Sequence, residues 1–311
     1  MEKYIVIFLF TIISWTAKAQ ENVTTDTDSL FNSIVTNPET HFKRNSYTDG
    51  TVKEFYELQG PFNQWSAFKE YHANGTVKEK GVFLNGYHFQ KWVTYDEDGK
   101  ITTILNYATS QKIKGPDLGY EKKFAQCKTL ADSLITTHFS NPAKFRLHAS
   151  RSYWYSASGS GRWFEPRTEA PTEFLLRYSY QHSDTLSFDV ITLNFDANLN
   201  LIADKSSGLP NEADFKFEID YPEALAIARS KNYRLTLDRP VLNEHNNLQL
   251  TFLHEDQSYH WRISKLLKST TESKKSRQDH ATIKQQISTL YINAATGQVT
   301  ETFGKGSINI N

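Results

Sequence analysis

Three turn cassettes between residues 47 and 101 constrain this chain more than any other feature. They read Tyr47-Thr-Asp-Gly50-Thr-Val-Lys, Tyr71-His-Ala-Asn-Gly75-Thr-Val-Lys and Tyr95-Asp-Glu-Asp-Gly99-Lys-Ile. Each is an aromatic, a short polar tip, a glycine and a return strand, and the tyrosines fall 24 residues apart both times. A fixed period of this size marks an array of like supersecondary units, none able to bury its apolar face alone. Residues 43–114 run in short stretches rich in Tyr, Phe, Trp, Val and Thr, punctuated by Asp49-Gly50, Asn74-Gly75, Asn85-Gly86 and Asp98-Gly99. Such dipeptides suit two-residue type I′ hairpins, whose two central positions both need φ > 0. Phe68 and Trp92 repeat the same offset, each three positions before a tyrosine. The expectation is an antiparallel β-meander whose aromatics stack from unit to unit. Its turn signature is Tyr47, Gly50, Tyr71, Asn74, Gly75, Tyr95, Asp98 and Gly99.

Gly115-Pro116-Asp117 breaks the pattern. Beyond it, apolar residues at 124, 127, 130, 131, 134 and 135 have helical spacing, and Asn141-Pro142 stops the helix. Strand-like runs follow at 145–155, 173–181 and 186–202, and Pro210 opens a polar link. A second helix covers Tyr221-Pro222-Glu-Ala-Leu-Ala-Ile-Ala-Arg229, with proline in its first turn. Strands are expected again at 248–254, 259–264, 287–293 and 299–303. Laid over each other at an offset of 97, Phe124, Cys127, Leu130 and Ala131 meet Tyr221, Ala224, Ile227 and Ala228, while Leu193-Asn-Phe-Asp-Ala and Ile202 meet Leu290-Tyr-Ile-Asn-Ala and Val299. The chain therefore reads as β-rich α+β: a repeat array at 43–114, then helix-plus-antiparallel-sheet modules at 118–208 and 212–311.

Two resemblances attach to these patterns. Tyr71-His-Ala-Asn-Gly-Thr-Val-Lys-Glu-Lys-Gly-Val-Phe-Leu-Asn-Gly86 followed by Trp92-Val-Thr-Tyr95-Asp-Glu-Asp-Gly99 resembles the bacterial MORN-repeat variant found in proteins labelled YwqK-like antitoxins. That family repeats a Tyr, an Asn-Gly tip, a basic strand, a second Asn-Gly and a Gly-x-Trp-x-x-Tyr closure. Here Gln90-Lys91-Trp92 stands where the closure usually has glycine, and Gly60-Pro61-Phe62 interrupts the first unit. Residues 212–304 resemble a PepSY-type module through Ala224-Leu-Ala-Ile-Ala228, Tyr259-His-Trp261-Arg-Ile263 and Tyr291-Ile-Asn-Ala-Ala-Thr-Gly297-Gln-Val299. Lys265 to Ile283 is a Lys/Ser/Thr-rich insertion into that pattern, expected to form a solvated loop. The resemblance implies an extracytoplasmic module that binds or inhibits a partner protein and has no catalytic centre.

The ends agree with export. Lys3, an apolar run from Tyr4 to Trp15 and Ala17-Lys18-Ala19 before Gln20 read as a cleaved signal peptide over 1–19. The run is too short to span a bilayer, which takes roughly 20 apolar residues. The expected mature protein starts with a polar segment at 20–42, has no transmembrane segment and is secreted or periplasmic. Cys127 is the only cysteine, so no lipoprotein cysteine lies at the cut and no internal disulfide can form. It falls on the apolar face of the first helix and reads as a small core residue. With 35 basic and 35 acidic residues the chain carries no electrostatic footprint for nucleic acid.

No pattern in the sequence carries a reaction. His254-Glu255-Asp256 with His260 is the tightest histidine group and reads as a polar turn, since no His-Glu-x-x-His accompanies it. Ser156-Ala-Ser-Gly-Ser-Gly161 lacks the Lys-Ser/Thr ending of a phosphate loop. No catalytic, cofactor or metal residue is assigned. The candidate interaction surface is the aromatic block Tyr153, Trp154, Tyr155, Trp163 and Phe164, because successive aromatics on one strand cannot all face one core. The expected function is an exported, non-enzymatic binding protein presenting its repeats to a protein or cell-envelope partner. The alternatives are a secreted hydrolase with a site between the two α+β modules and a toxin-neutralising protein.

Overall fold

The computed structural model describes residues 40–48, 50–59, 65–183, 186–234, 248–273 and 281–310. The expected signal peptide, almost all of the polar segment 20–42, Asp49 and Gly60-Pro61-Phe62 lie outside the described residues. The protein is β-rich α+β with antiparallel sheets, in two compact units. Unit 1 takes residues up to Glu121 together with 147–153 and 158–170, and unit 2 takes 122–146, 154–157 and 171 onward. Residues 147–153 and 158–170, expected inside the first helix-plus-sheet module, thus cluster with unit 1.

Unit 1 is built on one sheet of seven strands in sequence order: β1 (Thr40–Ser46), β2 (Val52–Gln59), β3 (Trp65–Tyr71), β4 (Val77–Leu84), β5 (Tyr87–Tyr95), β6 (Ile101–Asn106) and β7 (Gln111–Lys114). Each pairs antiparallel with the next, which is the expected meander. The turns divide into two kinds. Asn85-Gly86 is the expected two-residue tip: Leu84 pairs with Tyr87, and both central residues have positive φ, 53° and 80°. The Asn74-Gly75 and Asp98-Gly99 tips are longer. His72 N–H donates to the Thr76 carbonyl and Gly75 N–H to the His72 carbonyl; Asp96, Lys100 and Gly99 repeat this. Only the glycines take positive φ, 85° and 78°. These are type I turns closed by a glycine bulge, which let Asn74 and Asp98 keep ordinary backbone angles.

The repeat register also differs from the tyrosine spacing. β1 ends on Ser46, β3 on Tyr71 and β5 on Tyr95. The first residue of each turn is then Tyr47, His72 and Asp96, bonded to Thr51, Thr76 and Lys100 in the same way. Tyr47 is therefore the counterpart of His72. The three turns bond alike, with the glycine at the same place in each, and turn geometry, not identity of side chain, sets the equivalence.

The expected aromatic stacking holds between β3 and β5. Phe68 and Trp92 lie 5.5 Å apart and nearly parallel, and Phe83 meets both rings edge-on. The Trp92 indole lies flat on Gly81, where an added Cβ would overlap three of its ring carbons, and its Nε1 donates to the Val82 carbonyl at 3.1 Å. β5 makes room by bulging: Val93 pairs with Lys80 and Phe89 with Val82. Gln90 inside the bulge has φ 53°, the left-handed region, at the position where the resemblance expects glycine. A non-glycine residue there costs about 1–2 kcal/mol, and glycine's extra unfolded-state entropy returns part of it. Gln90→Gly is accordingly expected to stabilise unit 1 by roughly 0.5–1 kcal/mol. A lower midpoint in urea denaturation would count against that account of the bulge.

Unit 2 contains two helix-and-sheet segments. The first has α1 (Glu121–His138), β8 (Phe145–Leu147), β9 (Tyr153–Tyr155), β11 (Glu173–Gln181) and β12 (Ser187–Asp196), with β11 between β9 and β12 and β8 also pairing β11; β10 (Ser160–Arg162) belongs to unit 1. Phe124, Cys127, Ala131 and Ile135 are the buried stripe of α1, while Leu130 faces out. Across β11 and β12, Phe174, Leu176 and Tyr178 pair with Phe195, Leu193 and Ile191, all buried. Burial pushes the Cys127 thiol up to about 12, which suits a packed thiol and not a nucleophile.

The second segment has α2 (Tyr221–Ser230), β13 (Gln249–Leu253), β14 (Ser258–Ser273), β15 (Ala281–Asn293) and β16 (Val299–Ile310), the strands in sequence order. Asp220 caps α2 in a reciprocal box with Glu223. Four pairs matched at the 97-residue offset are buried alike, Cys127 with Ala224, Ala131 with Ala228, Leu193 with Leu290 and Phe195 with Ile292, whereas buried Phe124 meets half-buried Tyr221 and exposed Leu130 meets half-buried Ile227. The correspondence stops after these strands. Val299 opens the long β16, whereas Ile202 leads into a short 3-10 turn flanked by isolated bridges. The insertion at 265–283 is not simply a loop: Lys265 to Ser273 extend β14 and Ala281 to Ile283 begin β15, paired with each other, and Lys268 is an exposed strand residue. Lys274, Lys275 and Arg277 lie outside the described residues.

The polar link after Pro210 also proves structural. Phe215 and Phe217 insert among Phe139, Phe145, Tyr180 and Tyr259, with ring centroids 4.6 to 6.3 Å apart. Alternating Phe-Lys-Phe sends two rings one way and the charge outward, as an extended backbone requires.

Candidate functional site

The turn tips of unit 1 form a ladder. Tyr47 Oη donates to the Tyr71 carbonyl at 2.8 Å, and His72 Nε2–H donates to the Tyr95 carbonyl at 3.0 Å. The same position in successive repeats thus bonds to the end of the next repeat's strand, once with a phenol and once with an imidazole. That bond assigns His72 its Nε2–H tautomer. A second rung sits at the tip, where Asn74 Nδ2 and Thr76 Oγ1 both donate to the Glu97 carbonyl, at 3.0 and 3.1 Å. Asn74 Oδ1 meanwhile accepts from Thr76 N–H and shares the single Thr76 hydroxyl hydrogen with the Glu97 carbonyl. Tyr47, His72, Asn74 and Thr76 each reach the neighbouring turn, so the tips are held in a row while Ala73, Asn74, Gly75, Glu97, Asp98 and Gly99 stay exposed. Of the signature residues, Gly50, Gly75 and Gly99 supply positive φ, Asn74 links tips, and Tyr71 and Tyr95 supply carbonyl acceptors. The rung of the ladder that tyrosine spacing missed is His72; its signal was its place immediately after the strand end.

The aromatic block is divided between the two units, with Tyr153, Trp163 and Phe164 in unit 1 and Trp154 and Tyr155 in unit 2. Trp154 and Trp163 are buried, and Tyr153, Tyr155 and Phe164 are half-buried. In unit 1, Phe164 packs edge-on against Tyr107 at 5.0 Å, and Tyr107 stacks on His88 at 4.7 Å. Trp163 N–H donates to the Ser152 carbonyl, and Arg167 donates to the carbonyls of Trp163 and Gly119. Tyr155 and Trp154 belong to unit 2, where the Tyr155 carbonyl accepts from Thr172 N–H and Oγ1.

His88 joins this aromatic group, 4.2 Å from Trp92 and 4.9 Å from Phe83. Burial, aided by the Arg162 guanidinium, pushes its imidazole down to about 4, so the native ring is neutral. The unfolded chain takes up that proton near 6.5. This contribution to stability is therefore complete above about pH 6.5 and is lost as pH falls toward 4, by up to about 3 kcal/mol. Glu79 works in the opposite sense: burial and then the Glu70 charge raise its carboxyl, so its contribution fades as pH rises through its native value. His88→Phe should flatten the loss of stability between pH 6.5 and 4 when urea midpoints are compared with the parent. An unchanged slope would place the acid sensitivity elsewhere.

The histidine group at the β13–β14 turn is a closed hairpin network. His260 Nε2 lies 2.7 Å from Asp256 Oδ2 and 2.9 Å from Ser258 Oγ, and Asn293 Nδ2 donates to that hydroxyl. Burial raises the Asp256 carboxyl, but the bonds from His260 and Ser258 outweigh it, and the net shift is downward. A serine-histidine-carboxylate relay needs the hydroxyl and the carboxylate on opposite ring nitrogens. Here both meet Nε2, and Nδ1 is buried without a partner. His254 is not part of the group; its ring meets Phe252. Among the described residues no three His, Cys, Asp or Glu side chains are placed to hold a metal, and no helix is long and apolar enough to cross a membrane. Ser156 to Gly161 runs into β10, not into a helix.

No family model, no curated protein and no solved structure matches this chain.

Proposed function

We propose that this chain is an exported binding protein without catalytic activity, whose row of turns in unit 1 docks a protein or another component of the cell envelope. The observation that carries this reading is the ladder itself. Equivalent positions of successive repeats spend their hydrogen bonds on holding the next turn, and the tips they hold are exposed. Rigid, regularly spaced tips lose little conformational entropy on binding, which is what a docking surface gains from repetition. The likenesses to MORN-variant repeats and, for residues 212–304, to a PepSY-type module point the same way. So does the leader-like start, which favours a secreted or periplasmic location.

The test uses the mature protein as bait against envelope and culture fractions. A stoichiometric partner should be captured by the parent and by a Lys268→Glu control, and lost with Glu97→Arg/Asp98→Arg at the exposed tips. Capture unaffected by the tip substitutions would remove the ladder from the binding surface. A hydrolase activity abolished by one polar substitution would overturn the non-enzymatic reading.

A further inference from the structure

We propose that β16 is an association edge through which two copies of this chain pair, antiparallel about a two-fold axis at Phe303. This does not rest on the binding role of unit 1. β16 is the outer strand of the order β13-β14-β15-β16, so one side of its backbone has no strand partner among the described residues. Residues 300–305 are all exposed, and Phe303 is 72% exposed, the most of any large apolar side chain among the described residues. A long outer strand with free N–H and C=O groups is a template for another strand, and an exposed aromatic on it is an apolar anchor.

The charges around Phe303 say which strand fits. Glu301, Phe303 and Lys305 alternate along the strand and so share one face. If a second copy's β16 runs antiparallel with Phe303 opposite Phe303, then Glu301 of each copy stands opposite Lys305 of the other. The strand is self-complementary: two opposite-charge pairs flank one aromatic pair, all directly cross-strand. A lysine on an outer strand ordinarily discourages pairing. Here its counter-charge sits at the mirrored position of the same strand. Gly304, beside the axis on the opposite face, has nothing within 4 Å of where a Cβ would stand, so no side chain keeps the second strand away. Such an interface is isologous, and it leaves the shorter β13 as the outer strand at both ends, so assembly stops at two copies.

Glu301 also accepts hydrogen bonds from Tyr233 and Ser288, so changing it alone perturbs the interior as well. Lys305→Glu is the cleaner variant. Sedimentation velocity of the mature protein over a concentration series should show a monomer–dimer equilibrium. Lys305→Glu and Glu301→Lys should each weaken it roughly 10-fold or more, since two attractive pairs become repulsive. The double variant Glu301→Lys/Lys305→Glu should recover the dimer, and so should an equimolar mixture of the two single variants. A parent that stays monomeric at every concentration, or a dimer indifferent to Lys305→Glu, overturns the proposal. Loss in Glu301→Lys that the second change fails to restore assigns Glu301 a purely internal role and also counts against it.

Discussion

Trp92→Ala is expected to lower the stability of unit 1 by about 3–5 kcal/mol. Trp92 is 2% exposed, and its ring meets Phe68, Phe83 and His88 while lying on Gly81. Truncation removes those contacts and leaves the Val82 carbonyl without its indole donor. Gly81→Ala attacks the same packing from below, because its Cβ needs the space the indole occupies. Overpacking of this kind costs about 1–3 kcal/mol, sometimes more. The two changes should not add: in Gly81→Ala/Trp92→Ala the new methyl falls into the cavity left by the ring. The double variant should be no worse than Trp92→Ala within about 0.5 kcal/mol. Urea denaturation followed by circular dichroism reads all three, and strict additivity would mean that the indole does not rest on Gly81.

Trp261→Ala should have a comparable effect on unit 2, about 3–5 kcal/mol. Its ring is fully buried against Phe188 and Tyr221, and Nε1 donates to the Ile219 carbonyl at 2.8 Å. Ile219 directly precedes the Asp220 cap of α2, and the N–H groups of Glu218 and Ile219 both donate to the Ala294 carbonyl. The tryptophan therefore fixes where the helix starts. Trp261→Phe keeps most of the apolar contact but deletes the donor, and should cost about 1–3 kcal/mol. Amide hydrogen exchange should then speed up at Tyr221, Glu223 and Ala224 more than along β14. Uniform acceleration across unit 2 would show that the indole acts only as packing volume.

Much of the architecture was legible because it depends on period and punctuation. Helical spacing located α1 and α2, alternation located the strands of unit 1 and the buried faces of β11 and β12, and the turn dipeptides gave the meander. What sequence spacing misjudged were quantities set by hydrogen bonds across strands. Asp-Gly and Asn-Gly read alike whether the tip has two residues or three, and only the pairing of His72 with Thr76 separates a glycine-bulge turn from type I′. Tyrosines at equal spacing suggested that Tyr47 matches Tyr71, yet backbone pairing puts Tyr47 level with His72. Phe215 and Phe217 looked like residues of a linker because an alternation of only two aromatics is too short to mark a strand. Their packing is against Tyr180 and Tyr259, distant in sequence.

By itself the sequence determined the β-rich α+β class, the serial array of hairpins and the two helices with their buried stripes. These follow from local backbone preferences and from which face of each element is apolar, properties that a chain carries before it folds. The tertiary structure alone decided which turns are equivalent, how Tyr47 and His72 tie the tips into a row, why Gly81 must lack a side chain, and that β16 ends a sheet with Phe303 exposed. Each of those depends on which atoms from distant parts of the chain come within a few ångströms of one another, and local pattern does not encode that.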